Sequence, residues 1–342
     1  MSNGSFYVSK TTAQPKLITE DPTELIYKVF RYGLIPCISL LGIAGNVTSV
    51  IILTRRGFRK CSNILLLALS ISDIFYLIGI NNFPFYIYQD NVPQGFRFSK
   101  IINYVFHILY MLFLFAHNMG LQTAMLIPVL ITGERILAIL YPLKAYFILT
   151  RRRTIIVLSC LYVLNGCFFL YRGALCMNFK QLVTKDFIIG VIVHTDMYYS
   201  HVRSGTFGII NSTINYMTGV IPICLVTIGC GVIGIQVIII TKRRKQLTSS
   251  KTSTERNNPM SKTTRTLLSI CVLYIVCSGF GFIITYIADI PPIDHDVALR
   301  KILYSVQDVL FCLNCFGDFV IYVRSSKLTK GNKNAKSYKD LT

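Results

Sequence analysis

Glu134 and Arg135 are adjacent charges that close a run of 33 residues without Asp, Glu, Lys or Arg, Ile101 to Gly133. An arginine beside a carboxylate at such a boundary can pair with its neighbour in one state and swing to an outside partner in another, the bistable charge that switches use. The structural alternative is an arginine that only reaches up to an interface. Asp73 interrupts a second apolar run, Cys61 to Gln89, and Asp308 and Asp318 interrupt a third, Ile302 to Val323. Ionisable groups at membrane depth are costly and face a bundle interior. Two carboxylates sharing one buried site need a cation or a proton to compensate them. Asn46 and Asn314 are amides able to join that site, and a purely structural polar network is the alternative reading. The five histidines, His107, His117, His194, His201 and His295, show no catalytic or metal-ligand spacing, and the 11 cysteines, almost all inside apolar runs, form no Cys/His cluster that suggests a metal site. No enzyme chemistry and no metal centre is expected.

The elements that must position these residues follow from composition. The chain has 342 residues, 53% hydrophobic and 15% charged, with a mean hydropathy of +0.54, too apolar for an ordinary water-soluble domain. A bilayer core is crossed by about 20 helical residues. Seven spans of that order are predicted: Tyr32 to Thr54, Cys61 to Gln89, Ile101 to Gly133, Thr154 to Tyr171, Ser204 to Thr241, Thr266 to Ala288 and Ile302 to Val323. The net charge of +20 lies in short clusters between these runs, which points to membrane lipids and not to nucleic acid. The loops after spans one, three and five and the C-terminal tail hold 23 Lys/Arg, against 12 on the other side. The positive-inside rule then places the C-terminus in the cytoplasm and the N-terminus outside, with the first span as signal anchor. The expected organisation is an extracellular tail over residues 1–28, an all-α seven-transmembrane bundle over 29–326 and a short basic cytoplasmic tail over 327–342. The sequon at Asn3 falls in the outer tail and is a candidate glycosylation site; Asn211 carries a second sequon at the edge of the fifth span.

Several short motifs occur in order along these spans: Gly45-Asn46 in the first, Leu69-Ser70-Ile71-Ser72-Asp73 in the second, and Glu134-Arg135 with Tyr141-Pro142-Leu143 after the third. Pro222 stands in the fifth and Asp318-Phe319-Val320-Ile321-Tyr322 in the seventh. In this the chain resembles the rhodopsin-like (class A) G-protein-coupled receptors over about Val29 to Leu328. The stretch from Gly133 to Ala138 with Tyr141-Pro142-Leu143-Lys144 is similar to invertebrate, especially molluscan, chemosensory receptors, and more distantly to neuropeptide receptors. The resemblance implies a multi-pass plasma-membrane receptor that activates a heterotrimeric G protein, with Glu134, Arg135 and Tyr322 as the switch. It also implies that Asn46, Asp73, Asn314 and Asp318 form a polar cluster able to hold a sodium ion, although Ala124 sits where the family often supplies a hydroxyl. A transporter or channel of seven spans is the rival from another class, for which internal repeats or broken helices would be expected.

The resemblance further implies a ligand pocket between spans three, five, six and seven, for a small molecule or a peptide. Its candidate lining is Tyr110, His117, Asn118, Gln122, Thr218, Phe282, Thr285, Tyr286, Tyr304 and Gln307. His117 stands where amine receptors carry an Asp, so a biogenic amine lacks its counter-ion; a satisfied interhelical histidine is the blander reading. Cys312 stands where opsins carry the retinal lysine, which excludes that chemistry. Other departures concern mechanics. The chain has no tryptophan, and the sixth-span Cys-Trp-x-Pro becomes Cys277-Ser278-Gly279-Phe280, where small residues permit a bend that no proline imposes. Phe319 replaces the seventh-span proline, so a straighter helix is expected. Met260 replaces the sixth-span acid that can hold the arginine, so that lock is expected to be absent and basal activity raised. No cysteine at Tyr110 or between Met177 and Gly208 can form the family's outer disulfide, which removes a few kcal/mol of constraint on the chain-entropy view. A Ser/Thr-rich segment, Thr248 to Thr254, offers phosphorylation sites among basic residues.

Overall fold

The computed structural model describes residues 22–339, except Arg59, Val92, Cys176, residues 184–187, 248–261 and 291–295. Seven helices in it are long and apolar enough to cross a membrane: Pro22–Arg55, Cys61–Asp90, Lys100–Leu140, Arg151–Gly173, Thr206–Lys242, Thr264–Ala288 and Val297–Arg324. They coincide in order and position with the seven expected spans. Each exceeds the expected run at one or both ends, because helix persists through the polar flanks until a turn residue stops it, as Gly57 does at φ 77° after the first span. Asn3 and the segment Thr248 to Met260 lie outside the described residues. The seventh helix continues its backbone through Lys339, so residues 327–339 of the expected tail prolong that helix.

The bundle interior is apolar at its centre, with Leu69, Tyr76, Leu77, Ile127, Ile131, Leu267, Ile270 and Tyr274 almost fully buried. The outward faces carry Leu40, Ile101, Val163, Ile209 and Ile228, each exposed by more than half. An exposed apolar perimeter of this extent suits hydrocarbon and would be a liability in water. Spans two and three come into backbone contact: a methyl on Gly79 would fall on the backbone of His117, and one on Gly120 on that of Tyr76. Small residues permit this approach, the usual basis of helix association in membranes. Ser72 ties three helices there, its Oγ accepting from Thr123 Oγ1 at 2.7 Å and sharing a 2.8 Å hydrogen bond with Tyr162 Oη.

Sequence reasoning expected a sixth span able to bend at Ser278 and Gly279 and a straighter seventh span at Phe319. In the sixth span, Ser278 and Gly279 lie within unbroken helix from Lys262 to Ala288. In the seventh, Phe319 also sits in unbroken helix, and its ring occupies the space that Gly45 leaves by having no side chain.

At the end of the bundle away from Arg135, two antiparallel strands form a hairpin, β1 (Met177–Val183) and β2 (Ile188–His194). It occupies the segment that lacks the expected disulfide, and hydrogen bonds tie it down instead. Phe96 and Gly190 exchange backbone hydrogen bonds of 2.9 and 2.8 Å, Ile192 N donates to Tyr88 Oη at 3.1 Å, and Gln181 Nε2 donates to the Lys100 carbonyl at 2.9 Å. Phe96 is fully buried beneath β2, and His107 stacks on Phe179 of β1 with ring centroids 4.4 Å apart.

Candidate functional site

At one end, the third span delivers Glu134 and Arg135 to the mouth of an open cavity of about 610 Å³ between spans two and three and the short helix Pro142–Ile148. Arg135 Nη2 pairs with Glu134 Oε1 at 3.1 Å, and both side chains are largely buried. Ser62, at the start of the second span, donates to the same Glu134 oxygen at 2.7 Å and accepts from Arg135 Nη2. Arg135 Nη1 donates to Thr264 Oγ1 of the sixth span at 3.4 Å. Met260, where an acid was expected to be lacking, lies outside the described residues; what the sixth span does offer Arg135 is the neutral hydroxyl of Thr264. A neutral hydroxyl offers one oxygen and no charge where a carboxylate offers two oxygens and a negative charge, so the tie is weaker than an ionic lock.

Midway along the bundle, spans one, two and seven bring Asn46, Asp73, Asn314 and Asp318 into the interior, all at least 94% buried. Asn46 Nδ2 donates to the Cys315 carbonyl at 3.0 Å and the Gly42 carbonyl at 3.1 Å, joining span one to span seven. The oxygens are differently placed. Among the described residues, both of Asp73, Oδ1 of Asp318, Oδ1 of Asn46 and Oδ1 of Asn314 are buried with no hydrogen-bond partner within geometric limits, and the weakly polar Cys315 thiol lies beside Asp73. An excess of buried oxygen acceptors over donors fits a hard monovalent cation such as sodium, or protons on the carboxyls. Ala124, buried on the third span, adds no hydroxyl. Tyr322 is buried one turn beyond Asp318. Among the described residues no group of three His, Cys, Asp or Glu side chains could hold a metal ion.

Towards the hairpin end, Asn118, Gln122, Thr218, Phe282, Thr285, Tyr286 and Gln307 line one cavity of about 360 Å³ between spans three, five, six and seven. Three other residues expected there lie elsewhere. Tyr110 is buried against Phe85 and Tyr88 on the second-span side, because the third helix turns that position away from spans five and six. His117 packs on Tyr76 with ring centroids 5.3 Å apart, at the Gly79 contact between spans two and three. Tyr304 donates to Asp289 Oδ1 at 2.9 Å and receives Arg300 at 3.4 Å, in a polar clasp between the ends of spans six and seven. Sequence reasoning missed Arg172, Asn215 and Asp289, which share the cavity. It also missed the ion pair of Arg31 with Asp308, 2.8 Å apart between spans one and seven. That pair was foreshadowed by a cation just before the first apolar run and by the outer of two acids within the last.

With fold and geometry in place, the sequence model described as "7 transmembrane receptor (rhodopsin family)" matches residues 45–322, and the chain belongs to that family. Its members are receptors and not enzymes, and seven spans make this a multi-pass protein of the plasma membrane. The chain is similar to the C-C chemokine receptor type 3 of Cavia porcellus, 28% identical over 117 residues, which are 34% of this chain and 30% of that one. It is 29% identical over 127 residues to the human motilin receptor, covering 37% of this chain and 28% of the relative. A probable G-protein coupled receptor of Caenorhabditis elegans is 22% identical over 235 residues, 67% of this chain and 50% of that protein. The chain thus spans half or less of the length of the curated relatives it matches.

Proposed function

We infer that this receptor takes an extracellular, non-amine ligand, a chemosensory cue, in the cavity lined by Asn118, Gln122, Phe282, Thr285 and Gln307, and promotes nucleotide exchange on a heterotrimeric G protein at the Arg135 end. The orientation follows the basic loops, with Arg135 in the cytoplasm and the hairpin outside. Clusters such as Arg151-Arg152-Arg153 add attraction to anionic lipid. The observation that carries the reading is the state of Arg135, a buried cation held by Glu134, Ser62 and Thr264 at the edge of an open cavity. Thr264 and Phe282 lie on one continuous helix 18 residues apart, about 27 Å at 1.5 Å per residue, so a ligand against Phe282 acts on the element that holds Arg135. Asp73 and Asp318, with Asn46 and Asn314, would hold a sodium ion between these two ends, and the bound ion would supply the charge their oxygens lack. Amides, hydroxyls and aromatic rings dominate the candidate ligand cavity, with Asp289 and Arg172 its charged members, and no acid stands at His117 to meet an amine.

The test is nucleotide exchange in membranes expressing wild type or Arg135→Ala at equal surface density, with and without pooled peptide, amino-acid and odorant fractions. Exchange is expected with wild type alone. Equal stimulation by both proteins would refute the role given to Arg135.

A further inference from the structure

A second cavity, of about 1000 Å³, opens at the hairpin end between spans one, two and seven, and shares no lining residue with the one just described. Its charges are unevenly satisfied. Glu24 is paired with Lys28 at 3.4 Å, Asp90 accepts from Tyr32 Oη at 3.3 Å, and Arg31 Nη1 reaches out of the lining to Asp308 at 2.8 Å. The cations retain spare capacity. Arg31 meets Asp308 through one nitrogen only, and its Nε–H is buried without an acceptor. A guanidinium fork is built to meet a carboxylate through two donors, and an unmade bond at a buried donor is costly. Lys301 lines the same cavity, with its Nζ 5.7 Å from the centre of the Tyr27 ring and no carboxylate partner among the described residues. The walls between these cations are aromatic and apolar, from Tyr27, Pro36, Phe83 and Tyr86, and the Arg31 guanidinium lies 4.6 Å from the Tyr86 centroid.

We propose that this cavity is a second ligand site, for an organic monocarboxylate whose carboxylate is received by Arg31 and Lys301 and whose body lies among Tyr27, Phe83 and Tyr86. Asp308 is its internal competitor, holding part of Arg31 until a ligand carboxylate takes the free donors. The charges select a monoanion locally and not by a net excess: Lys28, Arg31 and Lys301 equal Glu24, Asp90 and Asp308 in number, so the attraction lies in the spare donors of Arg31 and Lys301, and Asp90 and Glu24 oppose a dianion. A volume of this size also accommodates an aromatic or aliphatic body, as ligand cavities do. The site stands on its own geometry and does not depend on the G-protein reading.

The experiment is saturation-transfer NMR on the full-length receptor in lipid nanodiscs, with phenylacetate, indole-3-acetate and hexanoate as probes, each paired with its neutral primary amide and run against empty discs. At least one acid is expected to show receptor-dependent transfer that its amide lacks. Its Kd should weaken by about tenfold or more in Lys301→Gln and Arg31→Gln, as for loss of a charge-assisted contact. Asp308→Asn should tighten it by about threefold or more, because the internal competitor is gone; a merely structural ion pair predicts no such gain. Gln122→Ala, in the other cavity, should leave it unchanged. Lys301 is exposed, and the hydrogen bond it receives from Ser305 Oγ is on its backbone carbonyl and survives substitution, so Lys301→Gln decides the matter if Arg31→Gln does not fold. Transfer to no acid, equal binding of acid and amide, an unchanged Kd in Lys301→Gln, or loss in Gln122→Ala instead would each overturn the proposal.

Discussion

Thr264→Val isolates the link between Arg135, the proposed switch, and the sixth span. Valine keeps the shape of a side chain that is 8% exposed and deletes only the hydroxyl that accepts from Arg135 Nη1. A neutral hydrogen bond is worth about 0.5–1.5 kcal/mol net and one to a charged group about 1.5–3 kcal/mol. At 3.4 Å this bond is at the long end of useful geometry, which brings its value to about 1 kcal/mol. That figure applies only to the state in which spans three and six are joined, so its loss raises the separated state about fivefold. With a minor state of a few per cent at rest, basal nucleotide exchange should rise by close to the same factor. Thr264→Ser, which restores the hydroxyl, should stay near wild type. The assay is ligand-independent GTPγS binding per surface receptor, with density matched by an N-terminal epitope tag. Unchanged basal exchange in Thr264→Val, or an equal rise in Thr264→Ser, would refute the idea that this hydroxyl restrains the sixth span.

Three further outcomes are expected. Gly120→Val should cut surface expression and lower the melting temperature in detergent, since even a methyl there meets the Tyr76 backbone and overpacking costs about 1–3 kcal/mol; a wild-type melting curve would disprove the close approach of spans two and three. Sodium chloride should raise the melting temperature of wild type relative to choline chloride, and the difference should vanish in Asp73→Asn, where one of the two carboxylates loses its charge; no salt difference in wild type would favour protons over sodium. Phe96→Ala should speed proteolysis of the β1–β2 hairpin, because truncating a fully buried phenylalanine costs about 3–5 kcal/mol and removes the packing under Gly190; unchanged cleavage would mean that the strap is held elsewhere.

Apolar run length made all seven helices legible, because a bilayer core imposes a minimum span that few other folds share. The polar cluster was legible for a related reason: a charge at membrane depth must have somewhere to go, and Asp73 and Asp318 had one interior to share. What stayed hidden depended on helix rotation and tilt. Tyr110 and His117 lie seven residues apart on the third span and turn together towards span two, where Gly79 draws the backbones close, while Asn118 and Gln122 face the cavity. Counting from a motif fixes height along a helix but not which neighbour a face meets. Arg135 shows the same limit, since its partners Ser62 and Thr264 are ordinary hydroxyls with nothing in spacing to mark them.

The departures from the family pattern share a physical logic. Where a disulfide would join the third span to the following loop, the chain uses the Phe96–Gly190 backbone pair, the buried Phe96 ring and the stack of Phe179 on His107, several weak contacts replacing one covalent bond. Gly190 permits this, for a methyl there would press on the Phe179 ring at 2.6 Å. Where proline would break the seventh helix, Phe319 fills the gap opposite Gly45 and locks spans one and seven by shape. A covalent tie holds loop and helix together until reduced, whereas a packed strap opens with a finite equilibrium set by its few kcal/mol. The hairpin over the proposed ligand cavity is therefore held by contacts that can open reversibly, the buried Phe96 ring among them.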